Sequence, residues 1–215
     1  MNTQDELFEL EPCDKQCALC FIYFTDMLIQ NSLFRGLEKR IVGRLIKDVH
    51  HQVKQLEKGE VYASEGDTLN HYIIIAKGSI IGEMMDYEGN MLSVEKRSAP
   101  QSLASAFLFG KENKLPVTIT ALEETALFLI PREELLTLFS HSKTITKNFL
   151  DTISNRAQFL GDRIKLLSIK DLKGKIAFYL MEQYKTKNDT SFRIPHTQQE
   201  LAEMFEEDFA HLRSL

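Results

Sequence analysis

A chain of 215 residues, 43% apolar and 27% charged with no tryptophan, is long enough for one large domain or two small ones with a sizeable core. No run approaches the ~18 uncharged residues of a membrane span, and the acidic opening MNTQDELFELEP predicts no secretory signal, so a cytoplasmic protein without a membrane partner is expected. The net charge of −5 argues against wholesale coating of nucleic acid, but it is unevenly spread: seven Lys or Arg face three acids from Asp162 to Lys187, and five acids face Arg213 alone from Thr197 to Leu215.

Residues 1–32 read as an N-terminal arm. It carries all three cysteines, Cys13, Cys17 and Cys20, in a C-x3-C-x2-C spacing. An odd count is no disulfide framework. Three thiolates at this spacing can surround one iron–sulfur cluster or zinc ion, with a fourth ligand from elsewhere, or they are simply reduced thiols. The apolar stretch Cys20 to Ser32 is expected to pack the arm onto the body. Ser32 fits an N-cap for a helix from Leu33 to about Lys47, with Leu37, Ile41, Leu45 and Val49 on one face.

From there to residue 140 the pattern is short β segments between glycine turns, at Gly59, Gly66, Gly78 and Gly89. Strands are expected at Tyr72–Ala76, Ile80–Met84, Leu92–Lys96, Val117–Ala121 and Thr125–Ile130. Turns about every ten residues predict an antiparallel sandwich or barrel rather than βαβ units. Pro131 opens a short helix.

Residues 141–168 form the proline-free stretch around which the chain is organised. Ile153, Ala157, Leu160, Ile164 and Leu167 recur in steps of four, three, four and three, a stripe close to the coiled-coil period. It predicts a long helix that pairs with a copy of itself or packs on its own domain. Beyond it, in residues 169–215, Lys170–Lys185 reads as a helix. Thr197 caps a last one, with Glu200 three residues on to complete a capping box and Leu201, Ala202, Met204 and Phe205 turned inward. No nucleophile–base pair or paired carboxylates stand in a convincing setting, so no enzyme is expected.

This order resembles the CRP/FNR family of bacterial transcription regulators. KGEVYASEGDTLNHYIIIAKGSIIGEM is similar to the cyclic-nucleotide-binding-type β-roll, LKGKIAFYLMEQ to the helix preceding the helix-turn-helix, and IPHTQQELAEMF to the short strand and first helix of that motif. APQSLASAFLF and ISNRAQFLGDRI resemble the HcpR-like anaerobic and nitrosative-stress branch. The resemblance implies an α+β fold: an N-terminal antiparallel β-roll (jelly roll) with flanking helices over 33–140, a dimerisation helix over 141–168, and a C-terminal winged-helix domain over 169–215. It implies a homodimer whose DNA binding is controlled by a small effector or a redox or nitrosative signal, with RNA polymerase as a further partner.

The same resemblance frames the effector. Cyclic-nucleotide members hold phosphate with a Gly-Glu pair and a later arginine; here Pro116-Val117-Thr118 takes the arginine's place, so cyclic AMP is not expected. Leu103, Phe107 and Phe109 would make an apolar wall suited to haem or to a plain core. A haem would need an axial ligand, for which His50, His51, His71, Met84 and Met85 are candidates. Thr197, Gln198 and Gln199 resemble the family's phosphate-backbone contacts. After Phe205, however, EEDFAHLRSL has neither the glycine turn nor the Arg-rich recognition helix, and Glu206, Glu207 and Asp208 oppose phosphate. The recognition helix and wing are therefore expected to be absent, and the chain as it stands is not expected to bind a specific operator. A ligand-binding module acting through protein partners is the alternative.

Overall fold

The computed structural model describes residues 24–85, 91–187, 191 and 193–205. Its contacts divide the chain into two units, Met1–Ile153 and Ser154–Leu215, and the division falls inside one long helix.

Among the described residues of the first unit eight strands form two antiparallel four-stranded sheets. They are β1 (Gln52–Leu56), β2 (Val61–Ala63), β3 (His71–Lys77), β4 (Ser79–Met85), β5 (Met91–Ser98), β6 (Ser102–Leu103), β7 (Thr118–Ala121) and β8 (Thr125–Pro131). One sheet runs β1-β8-β3-β6, the other β2-β7-β4-β5. The apolar runs of β3 and β8 are buried along almost their whole length, because both strands lie inside their sheet and are covered on both faces. Phe128 of β8, for example, meets the rings of Phe24 at 5.5 Å and His51 at 4.8 Å. Gly78 makes the β3–β4 turn at φ 81°, where a Cβ would lie 2.5 Å from the Glu124 carbonyl oxygen, so no other residue fits.

The expected helix from Leu33 does not form as one piece. A 3₁₀ turn covers Ser32–Phe34, and its cap is Asn31, not Ser32: the Asn31 side chain accepts from the Leu33 N–H at 2.9 Å. Gly36 at φ 82° then breaks the chain before α1 (Lys39–Lys47). The break turns the helix so that Val42, Ile46 and Val49 are buried, while Ile41 is 44% exposed. Downstream, α2 spans Arg132–His141 and α3 spans Lys143–Ser168, one helix of 26 residues.

In the second unit α4 (Leu172–Lys187) begins where the Asp171 carboxylate accepts the Gly174 N–H at 2.7 Å. The last helix, α5 (Gln198–Phe205), has the capping box read from T-x-x-E. The Thr197 N–H donates to Glu200 Oε2 at 2.7 Å and the Glu200 N–H donates to Thr197 Oγ1 at 3.2 Å. Leu166, Leu172, Tyr179 and Phe205 form this unit's core, and the buried Lys175 Nζ donates to the Phe205 carbonyl at 2.7 Å.

Candidate effector site

The segment joining β5 to β7 holds the position at which the resemblance implies an anion-binding fork. Residues 99–118 contain no arginine. Leu115 is sealed at 3% exposure, and its backbone is stitched to the β2–β3 connection: the Leu115 N–H donates to the Asp67 carbonyl and the Gly66 N–H to that of Leu115, each at 2.9 Å. The Leu69 N–H donates to the Asn113 carbonyl at 2.7 Å, and Asn113 Nδ2 returns a bond to the Leu69 carbonyl at 3.1 Å. Val117 lies over Gly82, its Cγ2 atom 3.1 Å from where a Cβ would stand. An aliphatic plug thus occupies this loop, and Lys111 and Lys114 are exposed.

The three residues expected to wall a pocket have different surroundings. Leu103 is a core residue of β6, paired with Ile73, and 5% exposed. Phe109 joins an aromatic cluster with Phe149 (5.7 Å, edge-on) and Phe139 (6.3 Å). Phe107, in the 3₁₀ turn Ser105–Phe107, is 40% exposed. The haem candidates are equally dispersed. His51 is stacked on Phe128 with Nδ1 3.2 Å from the Val49 carbonyl, burial pushes the His71 imidazole below its ordinary pKa, and Met85 is 63% exposed. Among the described residues no three His, Cys, Asp or Glu side chains are arranged around a metal position. Cys13, Cys17 and Cys20 lie outside the described residues.

A buried polar chain, not foreseen from the sequence, connects this loop to α3. Asn31, 1% exposed, donates from Nδ2 to the Pro100 carbonyl at 2.5 Å and to Ser102 Oγ at 3.0 Å. Ser102 Oγ also bonds Tyr72 Oη at 2.7 Å, and burial holds that phenol above its ordinary pKa against the hydrogen bonds from Ser102 and Ser105. On the far side of the Ser32–Phe34 turn, Asn148 of α3 donates to the carbonyls of Leu33 at 2.9 Å and Arg35 at 2.8 Å. β6 and α3 therefore hold one short turn through two buried asparagines.

On α3 itself, Ile153 packs against the first unit's core, whereas Leu160, Ile164 and Leu167 are 48%, 69% and 37% exposed and Ala157 is exposed too. Leu150, three residues before Ile153 and 58% exposed, extends the stripe by one step. At the other end Thr197, Gln198 and Gln199 are exposed at the start of α5, with the Thr197 hydroxyl engaged in the capping box.

A family model of the cyclic nucleotide-binding domain matches residues 53–142. The roll is similar to that domain over this stretch. No curated protein matches the chain. Among solved structures, the catabolite activator protein of Thermus thermophilus is similar at a TM-score of 0.59 and 18% identity, over 85% of this chain and 84% of that one. The sensor domain of the regulator DNR from Pseudomonas aeruginosa is similar at 0.55 and 20%, over 69% and 94%. A transcriptional regulator from Thermotoga maritima is similar at 0.53 and 25%, over 54% and 91%. The roll followed by a long helix thus shares the fold of these solved structures. No described helix is long and apolar enough to cross a membrane.

Proposed function

We propose that the chain is a homodimeric transcription regulator of CRP/FNR type, in which a signal sensed by the roll is passed along α3 to the C-terminal unit. The observation that carries this reading is the stripe of Leu150, Ala157, Leu160, Ile164 and Leu167, spaced for a coiled-coil seam and exposed along one helix. The relatives in fold named above are a catabolite activator and two other transcriptional regulators, which supports the same assignment.

The effector in this reading is a small molecule, or a redox or nitrosative signal, other than cyclic AMP. Support comes from the aliphatic plug of Leu115 and Val117 where an anion would need a cation, since a phosphate held without a guanidinium or ammonium loses its strongest bonds. Switching is a two-state equilibrium biased by whatever binds one state better. A cluster on Cys13, Cys17 and Cys20 is one form the sensor takes; Cys17→Ser should then abolish the visible absorption of anaerobically purified protein.

The decisive experiment is selection of duplexes from a random DNA pool, with and without cell extract as the source of effector. For a gene product that carries a recognition helix after α5, enrichment of a palindromic site bound by a dimer is expected. If only salt-sensitive binding without sequence preference is found, the transcription-factor reading fails in favour of a module acting through protein partners.

A further inference from the structure

Strand β5 carries charge where a roll should carry hydrocarbon. In its ladder with β4, Arg97 stands opposite Ile80 and Glu95 opposite Gly82. Directly opposed residues of an antiparallel pair project from the same face. That face is the inside of the roll: Ile80 is 2% exposed, as are Ala121 and Ile119, which β7 sets opposite Ile80 and Gly82. Arg97 and Glu95 thus point inward, and they form an ion pair with each other.

Their side chains nevertheless stay 31% and 36% exposed, beside neighbours at 2%. Solvent therefore reaches the inner face at these two positions of β5, the edge strand of its sheet. The same strand leaves Leu92 and Val94 each 48% exposed, the reverse of what packing favours. An inward ion pair of this kind gives little stability, because removing the two charges from water offsets most of their attraction.

We propose that Arg97 is the anion anchor of an effector site inside the roll and that Glu95 is its resident placeholder, displaced by a small organic monocarboxylate with an apolar body. The chemistry follows from the donors present. The guanidinium already holds a carboxylate, which its planar fork matches. Beside the pair, the half-buried Val117 over Gly82 offers hydrocarbon for the rest of the molecule. The proposal rests on the reading of the roll as the sensor, and it supplies that sensor's ligand class.

The test is isothermal titration of the full chain with propionate, benzoate and octanoate, with inorganic phosphate and cyclic AMP as comparators. At least one monocarboxylate should bind. Glu95→Gln removes the competing carboxylate and should tighten binding about tenfold, whereas Arg97→Gln should weaken it about tenfold or more. Arg97→Lys keeps the charge without the fork and should fall between, with a melting curve confirming that it folds. Opposite signs for the two partners are the signature, since a pair that only blunts an edge strand would be weakened alike by either change. Equal losses in both variants, no carboxylate binding to wild type or Glu95→Gln at millimolar concentration, or phosphate binding that survives Arg97→Gln would each overturn the proposal. Because the readout is binding heat, carboxylate binding without sequence-specific DNA binding would sink the proposed function alone, and the converse would sink this site alone.

Discussion

Replacing Leu160 by glutamate places a charge at the middle of the α3 stripe. Leu160 and Ile164 are 48% and 69% exposed in one protomer, so between them slightly more than one large side chain awaits cover. Full burial of such a side chain contributes about 1.5–3 kcal/mol, so this pair contributes about 2–3 kcal/mol per protomer and roughly 5 kcal/mol across a two-fold seam. Leu160→Glu forfeits its share in both copies and sets two like charges into the contact. The dimer dissociation constant should rise at least about a hundredfold. Sedimentation velocity over a dilution series measures it. The control is Phe159, 57% exposed but one residue off the stripe, with the Arg156 guanidinium over its ring at 5.4 Å. Phe159→Glu should leave assembly unchanged. If Leu160→Glu sediments as the wild type does, the seam is wrong, and so is the route by which the roll is proposed to reach the C-terminal unit.

Asn148→Ala leaves the carbonyls of Leu33 and Arg35 without the donor they share; urea unfolding should report a loss of about 1–3 kcal/mol, and a neutral result would mean water replaces the amide. Gly78→Ala meets the Glu124 carbonyl oxygen at 2.5 Å at a φ of 81°, whereas Gly66→Ala at φ 85° meets nothing within 4 Å. The first should cost well over the ~1 kcal/mol expected of the second, and equal costs by denaturant titration would show that φ alone matters. The backbone N–H and hydroxyl of Thr197 hold the Glu200 carboxyl below its ordinary value of 4.5. A lowered carboxylate pKa stabilises α5 at neutral pH, and that contribution fades as pH drops below 4.5 and through the folded value. Thr197→Ala removes the hydroxyl but keeps the backbone N–H, so it should move the NMR titration midpoint of Glu200 part of the way toward 4.5 and raise amide exchange in α5; an unmoved midpoint would show that the hydroxyl contributes nothing to the shift.

The parts legible in the sequence were those whose signals are local. The T-x-x-E box of Thr197 and Glu200 formed as read, because both partners lie within one turn. Strands β3, β4, β5, β7 and β8 formed within a residue or two of expectation, since apolar runs between glycine turns leave few alternatives. Strand β1, QVKQL, was missed because four of its five residues escape full burial and its register comes from β8. The N-terminal helix departs from expectation because its two halves share one apolar pattern. Only the φ of 82° at Gly36 and the Asn31 cap, which also reaches residues about 70 positions away, reveal the break. Leu150 carries the same three-residue step as the rest of the stripe and could have been counted. The inward direction of Arg97 and Glu95 could not have been read, because an irregularity in the β4–β5 ladder between Gly82 and Glu83 resets the alternation along the strand.

The two asparagines bear on how an event in the roll reaches the helix. A turn held only by apolar contacts can slide by small steps, whereas one held by buried amides exchanges whole hydrogen bonds or none. The Ser32–Phe34 turn is of the second kind: Asn31 fixes it to Pro100 and Ser102, and Asn148 fixes it to α3. Ser102 belongs to the connection that follows Arg97 by five residues, so a ligand that drew Arg97 from Glu95 would act on the strand leading into that connection. Movement of β6 must then either carry the turn and α3 with it or leave buried carbonyls unpaired at about 1–3 kcal/mol each. That cost is comparable to the coupling free energies by which effectors shift two-state proteins, so under the proposed function the polar chain would be strong enough to transmit a switch and weak enough to be broken by one.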